Sequence, residues 1–189
     1  MILRRLIIFS MLFIWILSEL LGSVILPRMR RKGVNIKNND EGSKAGLMVG
    51  IIASVIITSL LGSKIFSLPE WVYIVGVVVM IIGIIVRQWS IAVLGRYFSR
   101  SVGIQEGQNV IDKGPYGFVR HPAYTGTIVT VLGYAVTQRS ILGIIIVILI
   151  CAVVYNYRIT IEEKLLVSEL GDSYLNYMKR TKKIIPCIL

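Results

Sequence analysis

Histidine and cysteine are almost missing from this chain: one histidine, His121, and two cysteines, Cys151 and Cys187, stand among 189 residues. Two cysteines, one of them inside an apolar run, build no disulfide framework, and a single imidazole builds no histidine-rich metal site. Charge is scarce as well. Asp, Glu, Lys and Arg make up 16% of the residues against 55% hydrophobic ones, which excludes both a disordered chain and an ordinary soluble domain. Acidic residues are the rarer sign, 10 against 21 basic, for a formal net charge of +11. The basic residues lie in short segments between apolar runs, where they report membrane orientation and contact with anionic lipid rather than nucleic acid. No GxGxxG follows a strand pattern and strands do not alternate with helices, so a Rossmann-type domain is absent.

What the chain does have is length in its hydrophobic runs, with a mean hydropathy of +0.75. A hydrocarbon core of about 30 Å needs roughly 20 apolar residues per helix. Five stretches qualify: 6–26, 45–62, 71–94, 122–137 and 141–157. The expected fold is therefore an all-α integral membrane protein with five transmembrane helices. The first run follows Arg4 and Arg5 but continues past Glu19 without a small-residue cleavage site, so it reads as a retained helix rather than a signal peptide. Only Gln138, Arg139 and Ser140 separate the last two spans, which makes them a tight antiparallel hairpin. Of the 21 basic residues, sixteen fall on one side of this arrangement, in the loop before Lys44, the loop before His121 and the tail. The positive-inside rule then puts the N-terminus outside and the C-terminus in the cytoplasm. The ending Cys187-Ile188-Leu189 leaves two residues after cysteine where a prenylation box needs three.

The topology sets polar residues at a common depth. Glu19, Arg87, Gln88, His121, Asn156 and Arg158 all fall in the inner half or at the inner end of a span. They either converge on one cytoplasmic-leaflet site or, in the case of the arginines Arg87, Arg120 and Arg158, snorkel separately to the interface. Glu19 either takes part or merely hydrogen-bonds a neighbouring helix, and it is assigned no chemistry.

Two segments carry the most information. Residues 108–126 read QNVIDKGPYGFVRHPAYTG, a polar, glycine-rich and aromatic loop entering a span through His121-Pro122. Pro122 suits a first helical turn, and the free N–H groups there beside Arg120 and His121 favour an anion. The same segment also reads as a helix cap with an interfacial aromatic belt of Tyr116, Phe118 and Tyr124. The second segment, from Tyr155 to Lys164, turns an apolar span into a charged helix without a break. Asn156 and Glu163 fall on one face, and Arg158 and Glu162 lie four apart on an adjacent one, either as site groups or as an exposed ion pair on a solvated face. Leu166, Leu170, Tyr174 and Tyr177 or Met178 then form an apolar stripe on a C-terminal amphipathic helix.

The run Gly114-Pro115-Tyr116-Gly117-Phe118-Val119-Arg120-His121-Pro122-Ala123-Tyr124-Thr125-Gly126, followed by Arg158-Ile159-x-x-Glu162-Glu163, Gly171-x-x-Tyr174-x-x-Tyr177 and Ile185-Pro186, resembles the isoprenylcysteine carboxyl methyltransferase family. The resemblance covers about 84–186, so that 1–83 reads as membrane helices of low family specificity and 84–189 as a methyltransferase core within one integrated domain. It implies transfer of a methyl group from S-adenosylmethionine to the C-terminal carboxylate of a prenylated cysteine, with a cytoplasmic cofactor-binding loop. It implies a cofactor held by Gln108, Val110, Tyr116, Arg120, His121, Tyr124, Asn156, Glu162 and Glu163, with Arg87, Arg158 and Glu163 at the substrate and reaction centre. It implies no metal, a lipid environment and no nucleic acid partner. The membrane would be the cell membrane of a prokaryote or the endoplasmic reticulum of a eukaryote.

The chemistry is consistent with that assignment. An α-carboxyl group has a pKa of about 3.5, so the nucleophile is ionised at neutral pH and needs no general base. Positioning by Arg87 and Arg158 and loss of water are the main tasks, with Glu163 positioning an arginine or the cofactor. A prenyl chain gains about 0.8 kcal/mol per buried CH₂, most readily from a lipid-side groove. The RHPxYxG and Glu-Glu pattern is shared more loosely by phospholipid N-methyltransferases, whose protonated amine would need Glu163 or His121 as base; the arginines suit a carboxylate better. A nicotinamide-dependent membrane reductase needs more spans than this chain has, and a small helical adaptor or transporter subunit is the non-enzyme alternative.

Overall fold

The computed structural model describes residues 2–25, 36–38, 42–62, 67–105 and 107–184. The motif end Ile185-Pro186, Cys187 and its two successors, and the basic residues Arg28, Arg30, Arg31, Lys32 and Lys64 lie outside them. The described chain is mostly helical. Helix α1 spans Ile2–Glu19 and continues as a π-helical turn, Leu20–Ile25; α2 spans Ser43–Leu61 and α3 Val72–Leu94, which passes into a 3-10 turn, Gly95–Tyr97. A short α4 spans Pro122–Thr137, α5 spans Ile141–Leu170, and α6 spans Asp172–Arg180. The all-α expectation needs one amendment: β1, Ile36–Asn38, pairs antiparallel with β2, Gly103–Gln105, in the register Ile36 to Gln105 and Asn38 to Gly103.

Four helices are long and apolar enough to cross a membrane: Ile2–Ile25, Ser43–Leu61, Val72–Tyr97 and Ile141–Leu170. The expectation of five is met only in part. The stretch 122–137 does form a helix, but 16 residues rise only about 24 Å, and most of its side chains face protein rather than lipid. Its sequence explains why: glycine and threonine recur along it, and small residues draw helices together in an apolar solvent. Helix α4 lies against α3 along two pairs of glycines spaced seven apart. A Cβ on Gly126 would stand 2.5 Å from the backbone nitrogen of Arg87, and one on Gly133 would stand 2.5 Å from that of Met80. Gly76 and Gly83 meet Thr137 and Thr130 with equally little room. This seam fixes where Arg87 sits.

The outward faces of the long helices carry Phe9, Phe13, Val49, Ile56, Ile85 and Val153, all exposed in the absence of lipid. Inside, Trp15, Val131, Ala135, Val147, Cys151 and Tyr155 form the main apolar cluster. The expected hairpin between α4 and α5 is present. Arg139 takes a left-handed φ of 61° there, donating from Nε to the Leu68 carbonyl at 2.7 Å and from Nη1 to Glu70 at 2.7 Å, while Ser140 caps α5 by accepting from the Gly143 nitrogen at 3.1 Å. Arg4 reaches the Thr137 carbonyl at 2.8 Å, so it gathers with Glu70 and Arg139 at the end of the bundle opposite His121 and Arg158.

Helix α5 is 30 residues, about 45 Å, longer than a hydrocarbon core is thick, so its C-terminal turns extend beyond a membrane span. Gly171, at φ 53°, then breaks the expected continuous amphipathic stripe. Helix α6 turns its Tyr174 and Tyr177 inward, and Tyr177 donates to the Tyr116 carbonyl at 2.7 Å. The strand-like segment after α6 runs beside the loop: the amides of Arg120 and His121 donate to the carbonyls of Lys182 and Lys183 at 2.7 and 3.0 Å. Lys182 and Lys183 thus run beside the segment that the sequence marks as most informative.

Candidate active site

Arg87 sits near the inner end of α3, and its charge is met by α1. Its Nε donates to Glu19 Oε1 at 3.0 Å and its Nη2 to Glu19 Oε2 at 3.2 Å, while Nη1 donates to the Ala123 carbonyl at 3.2 Å. Ser23, one wider turn along the π-helical stretch, donates to Glu19 Oε2 at 2.8 Å. Such a turn often marks functional positions because it displaces one side chain from the regular α register. The ring of Phe98 lies 5.4 Å from the guanidinium, adding a cation–π contact.

Arg158 is 1% exposed and ties three other elements together. It donates from Nη1 to Ser43 Oγ at 2.6 Å, from Nη2 to the Arg100 carbonyl at 2.7 Å and from Nε to the Tyr124 hydroxyl at 3.0 Å. That hydroxyl donates in turn to Glu162 Oε2 at 2.5 Å. The reading of Arg158 and Glu162 as an exposed ion pair is therefore corrected: burial and an intervening phenol replace it. Neither Arg87 nor Arg158 snorkels, since each is buried and partnered within the protein.

Glu163 faces away from Glu162. Its Oε1 accepts from Arg120 Nε at 2.7 Å and meets His121 Nε2 at 3.2 Å. Arg120 also donates from Nη1 to the carbonyls of Met178 and Thr181, so one guanidinium links α5, the loop and the chain's end. His121 stacks on Tyr124 with ring centres 5.5 Å apart. Burial pushes the phenols of Tyr116, Tyr174 and Tyr177 above their ordinary value, keeping all three as neutral donors at neutral pH.

These groups enclose a cavity of about 260 Å³. Its lining includes the apolar Trp15, Leu47, Met48 and Ile51 of α1 and α2 and, from the loop, α5 and α6, Gln108, Val110, Tyr116, Arg120, Glu162 and Tyr174. Both Arg87 and Arg158 line it. Each bonds to a residue one helical turn from the apolar lining, Glu19 beside Trp15 and Ser43 beside Leu47, which sets the two guanidinium groups where apolar lining gives way to polar.

Most of the residues expected at a site are thus brought together. Gln108, Val110, Tyr116, Arg120, His121, Tyr124, Glu162, Arg87 and Arg158 all line the cavity. Two do not. Glu163 stands behind Arg120 and His121, outside the lining, and Asn156 is exposed on α5 away from it. Gln108 uses its Oε1 on the Gln105 amide at 3.1 Å, bracing the loop. The aromatic-belt reading survives for Phe118, which is exposed, but not for buried Tyr116 or cavity-lining Tyr124. Sequence reasoning missed Ser43 and gave no role to Glu19. Glu19 carried a signal, a carboxylate inside an apolar run; a serine after a loop carried none. Among the described residues there is no group of three or more His, Cys, Asp or Glu that could hold a metal ion.

The chain is similar to known proteins. Protein-S-isoprenylcysteine O-methyltransferase of Schizosaccharomyces pombe is 32% identical over 109 residues, covering 50% of this chain and 46% of that protein. Protein-S-isoprenylcysteine O-methyltransferase B of Arabidopsis thaliana is 29% identical over 123 residues, covering 62% and 61%. The solved structure of a eukaryotic intramembrane Ras methyltransferase, ICMT, superposes with a TM-score of 0.64 at 25% identity, covering 75% of this chain and 52% of that one. The chain therefore spans about half to three fifths of the length of these relatives. The family model for isoprenylcysteine carboxyl methyltransferases matches residues 74–168, which hold α4, the loop before it, both site arginines and the two glutamates, and the chain belongs to that family.

Proposed function

We propose that this chain methylates the C-terminal carboxylate of a prenylated cysteine, with S-adenosylmethionine as methyl donor, giving a methyl ester. The observation that carries the reading is one cavity with an apolar lining from α1 and α2, a polar lining from the loop, α5 and α6, and two buried arginines in its wall. A lipidated acid and a water-borne polar cofactor need that pairing of surfaces, and a site with only one of them would serve only one reactant.

The polar lining fits the proposed cofactor by its chemistry. The Glu162 carboxylate suits the ammonium of an amino acid, Arg120 and His121 suit its carboxylate, and the loop at Gln108 and Val110 with Tyr116 and Tyr174 offers backbone groups, phenols and apolar faces to a nucleoside. When bound, the cofactor supplies a methyl group on a sulfonium centre. The protein's own residues do the rest. Arg87 and Arg158 orient the acceptor carboxylate, Tyr124, whose hydroxyl stands between Arg158 and Glu162, holds Arg158 in place, and Glu163 acts through Arg120 and His121 rather than by touching either reactant. Glu163 is therefore a positioning residue in this proposal, and Asn156 is left out of the cofactor set. Apolar walls from α1 and α2 exclude water, which strips the carboxylate of its hydration and strengthens the arginines' hold on it. No proton has to move, so no general base is assigned.

In the membrane we place α4 as a fifth, short crossing within the bundle, the N-terminus outside and the loop, α6 and C-terminus in the cytoplasm, where the cofactor is found. The test is methyl transfer in proteoliposomes from methyl-labelled S-adenosylmethionine to either N-acetyl-S-farnesylcysteine or phosphatidylethanolamine. Label released by base as methanol from the first supports the proposal; base-stable label on the phospholipid alone, or none on either, overturns it.

A further inference from the structure

Every nitrogen of Arg87 has a partner. Glu19 holds two of its three nitrogens in a bidentate pair, the geometry a substrate carboxylate would itself adopt, and Ala123 takes the third. Glu19 also lines the cavity, so its carboxylate and that of an acceptor reach for the same guanidinium from the same space. Residue 19 lies outside the segment 74–168 that defines the family, on the helix that contributes least to the sequence resemblance.

We propose that Glu19 is a placeholder for the acceptor carboxylate: it satisfies Arg87 while the site is empty, yields at least one of its two contacts when an anionic acceptor enters, and retakes them once methylation has removed the acceptor's charge. This rests on the methyl-ester reading above. The physical reason is that a buried guanidinium without a partner is strongly disfavoured, so an empty site needs a resident anion. The same anion then weakens acceptor binding by competition. The ester product carries no charge to hold Arg87, and Glu19's return favours its release. The longer of the two contacts, Nη2 to Oε2 at 3.2 Å, is the one shared with Ser23, whose hydroxyl donates to Oε2 at 2.8 Å and gives that oxygen a second partner when Arg87 lets go. Ser23 Oγ lies 3.4 Å from Nη2 as well, so the exchange happens within one small cluster.

The test measures binding without turnover, in protein loaded with S-adenosylhomocysteine, for N-acetyl-S-farnesylcysteine and for its methyl ester. Glu19→Gln keeps the side-chain shape and removes the competing charge. The expected result is that the acid binds about five-fold tighter than to wild type while the ester changes less than about two-fold, so that acid-over-ester selectivity rises. Ser23→Ala, which takes away the partner that Glu19 Oε2 keeps when Arg87 lets go, lowers acid affinity by a smaller factor and leaves the ester unchanged, and it covers the case in which Glu19→Gln does not fold. A residue that only held the helices together would weaken both ligands alike. Unchanged acid affinity in the folded variants, or equal loss for acid and ester, overturns the placeholder. Failure of the methyl-ester reading looks different: wild-type protein then transfers no base-labile methyl group and does not bind the acid at all.

Discussion

Arg158 Nη1 donates to Ser43 Oγ across 2.6 Å, joining residues 115 positions apart in the chain. The bond makes the start of α2 part of the proposed reaction centre, although α2 lies outside the family segment. Arg158→Ala is expected to lower turnover by at least about 100-fold. Ser43→Ala should lower kcat/KM for the acceptor by about 3- to 10-fold and leave cofactor affinity unchanged, with Ser43→Thr restoring most of the loss. Steady-state kinetics with each reactant varied in turn separates these outcomes, and loss of cofactor binding in Ser43→Ala would argue against the assignment.

Glu163 holds Arg120 and His121 at once, and both of those line the cavity. Its removal leaves the nearly buried Arg120 guanidinium with carbonyl partners but without the carboxylate that balances its charge. In Glu163→Ala the dissociation constant for S-adenosylhomocysteine is expected to rise at least about ten-fold and turnover to fall severely, while the acceptor KM moves little. Calorimetric titration checks the first, and an acceptor KM that rises as much as the cofactor constant would show that the residue acts on the whole bundle instead.

The glycine seam makes a stability prediction. A methyl group on Gly126 has nowhere to go, because what it meets is the Arg87 backbone at 2.5 and 2.8 Å rather than a flexible side chain. Gly126→Ala should destabilise by about 1–3 kcal/mol and, because it displaces Arg87, reduce activity more than its stability loss accounts for. Gly46→Ala, on α2 with open space around it, is the control and should leave unfolding in detergent unaltered.

Burial raises the phenols of Tyr116, Tyr174 and Tyr177 above the ordinary 10.0. A group whose pKa is higher in the folded state holds its proton there while the unfolded chain loses it, so these phenols leave stability unchanged below about pH 10 and erode it above. Thermal unfolding from pH 8 to 11 should show a flat stretch and then a decline, and Tyr174→Phe should make the decline shallower.

Much of this site was legible because chemistry that is rare in a membrane stands out against apolar sequence. Arg87, Arg120, His121 and Arg158 could be picked out singly as polar groups at one depth, and the run from Gly114 to Gly126 tied them to a family. The partners were not legible. Glu19 pairs with Arg87 across 68 positions and Ser43 with Arg158 across 115, and neither helical periodicity nor hydropathy encodes a contact at such separations. Glu163 was assigned to the reaction centre and to the cofactor set by the family resemblance alone; adjacent residues on a helix point about 100° apart, and the structure gives Glu162 to the cavity lining and Glu163 to the loop beside it. The short α4 was read as an ordinary span because hydropathy measures apolar content and not what the apolar surface touches. Its glycines and threonines pack on α3 instead of meeting lipid. The strand pair of Ile36–Asn38 with Gly103–Gln105 is only three residues long, below what period-two patterning can signal.

In the proposed reaction prenyl chain, carboxylate and cofactor meet in a single cavity lined by α1, α2 and the loop. A photoreactive, benzophenone-bearing prenylcysteine, cross-linked in proteoliposomes with S-adenosylhomocysteine present and mapped by mass spectrometry, tests it most directly. Labelling is expected at Trp15, Leu47, Met48 or Ile51, abolished by excess unlabelled acid. Labelling spread over the lipid-facing Phe9, Phe13 and Ile85, or labelling the acid does not compete away, would contradict it.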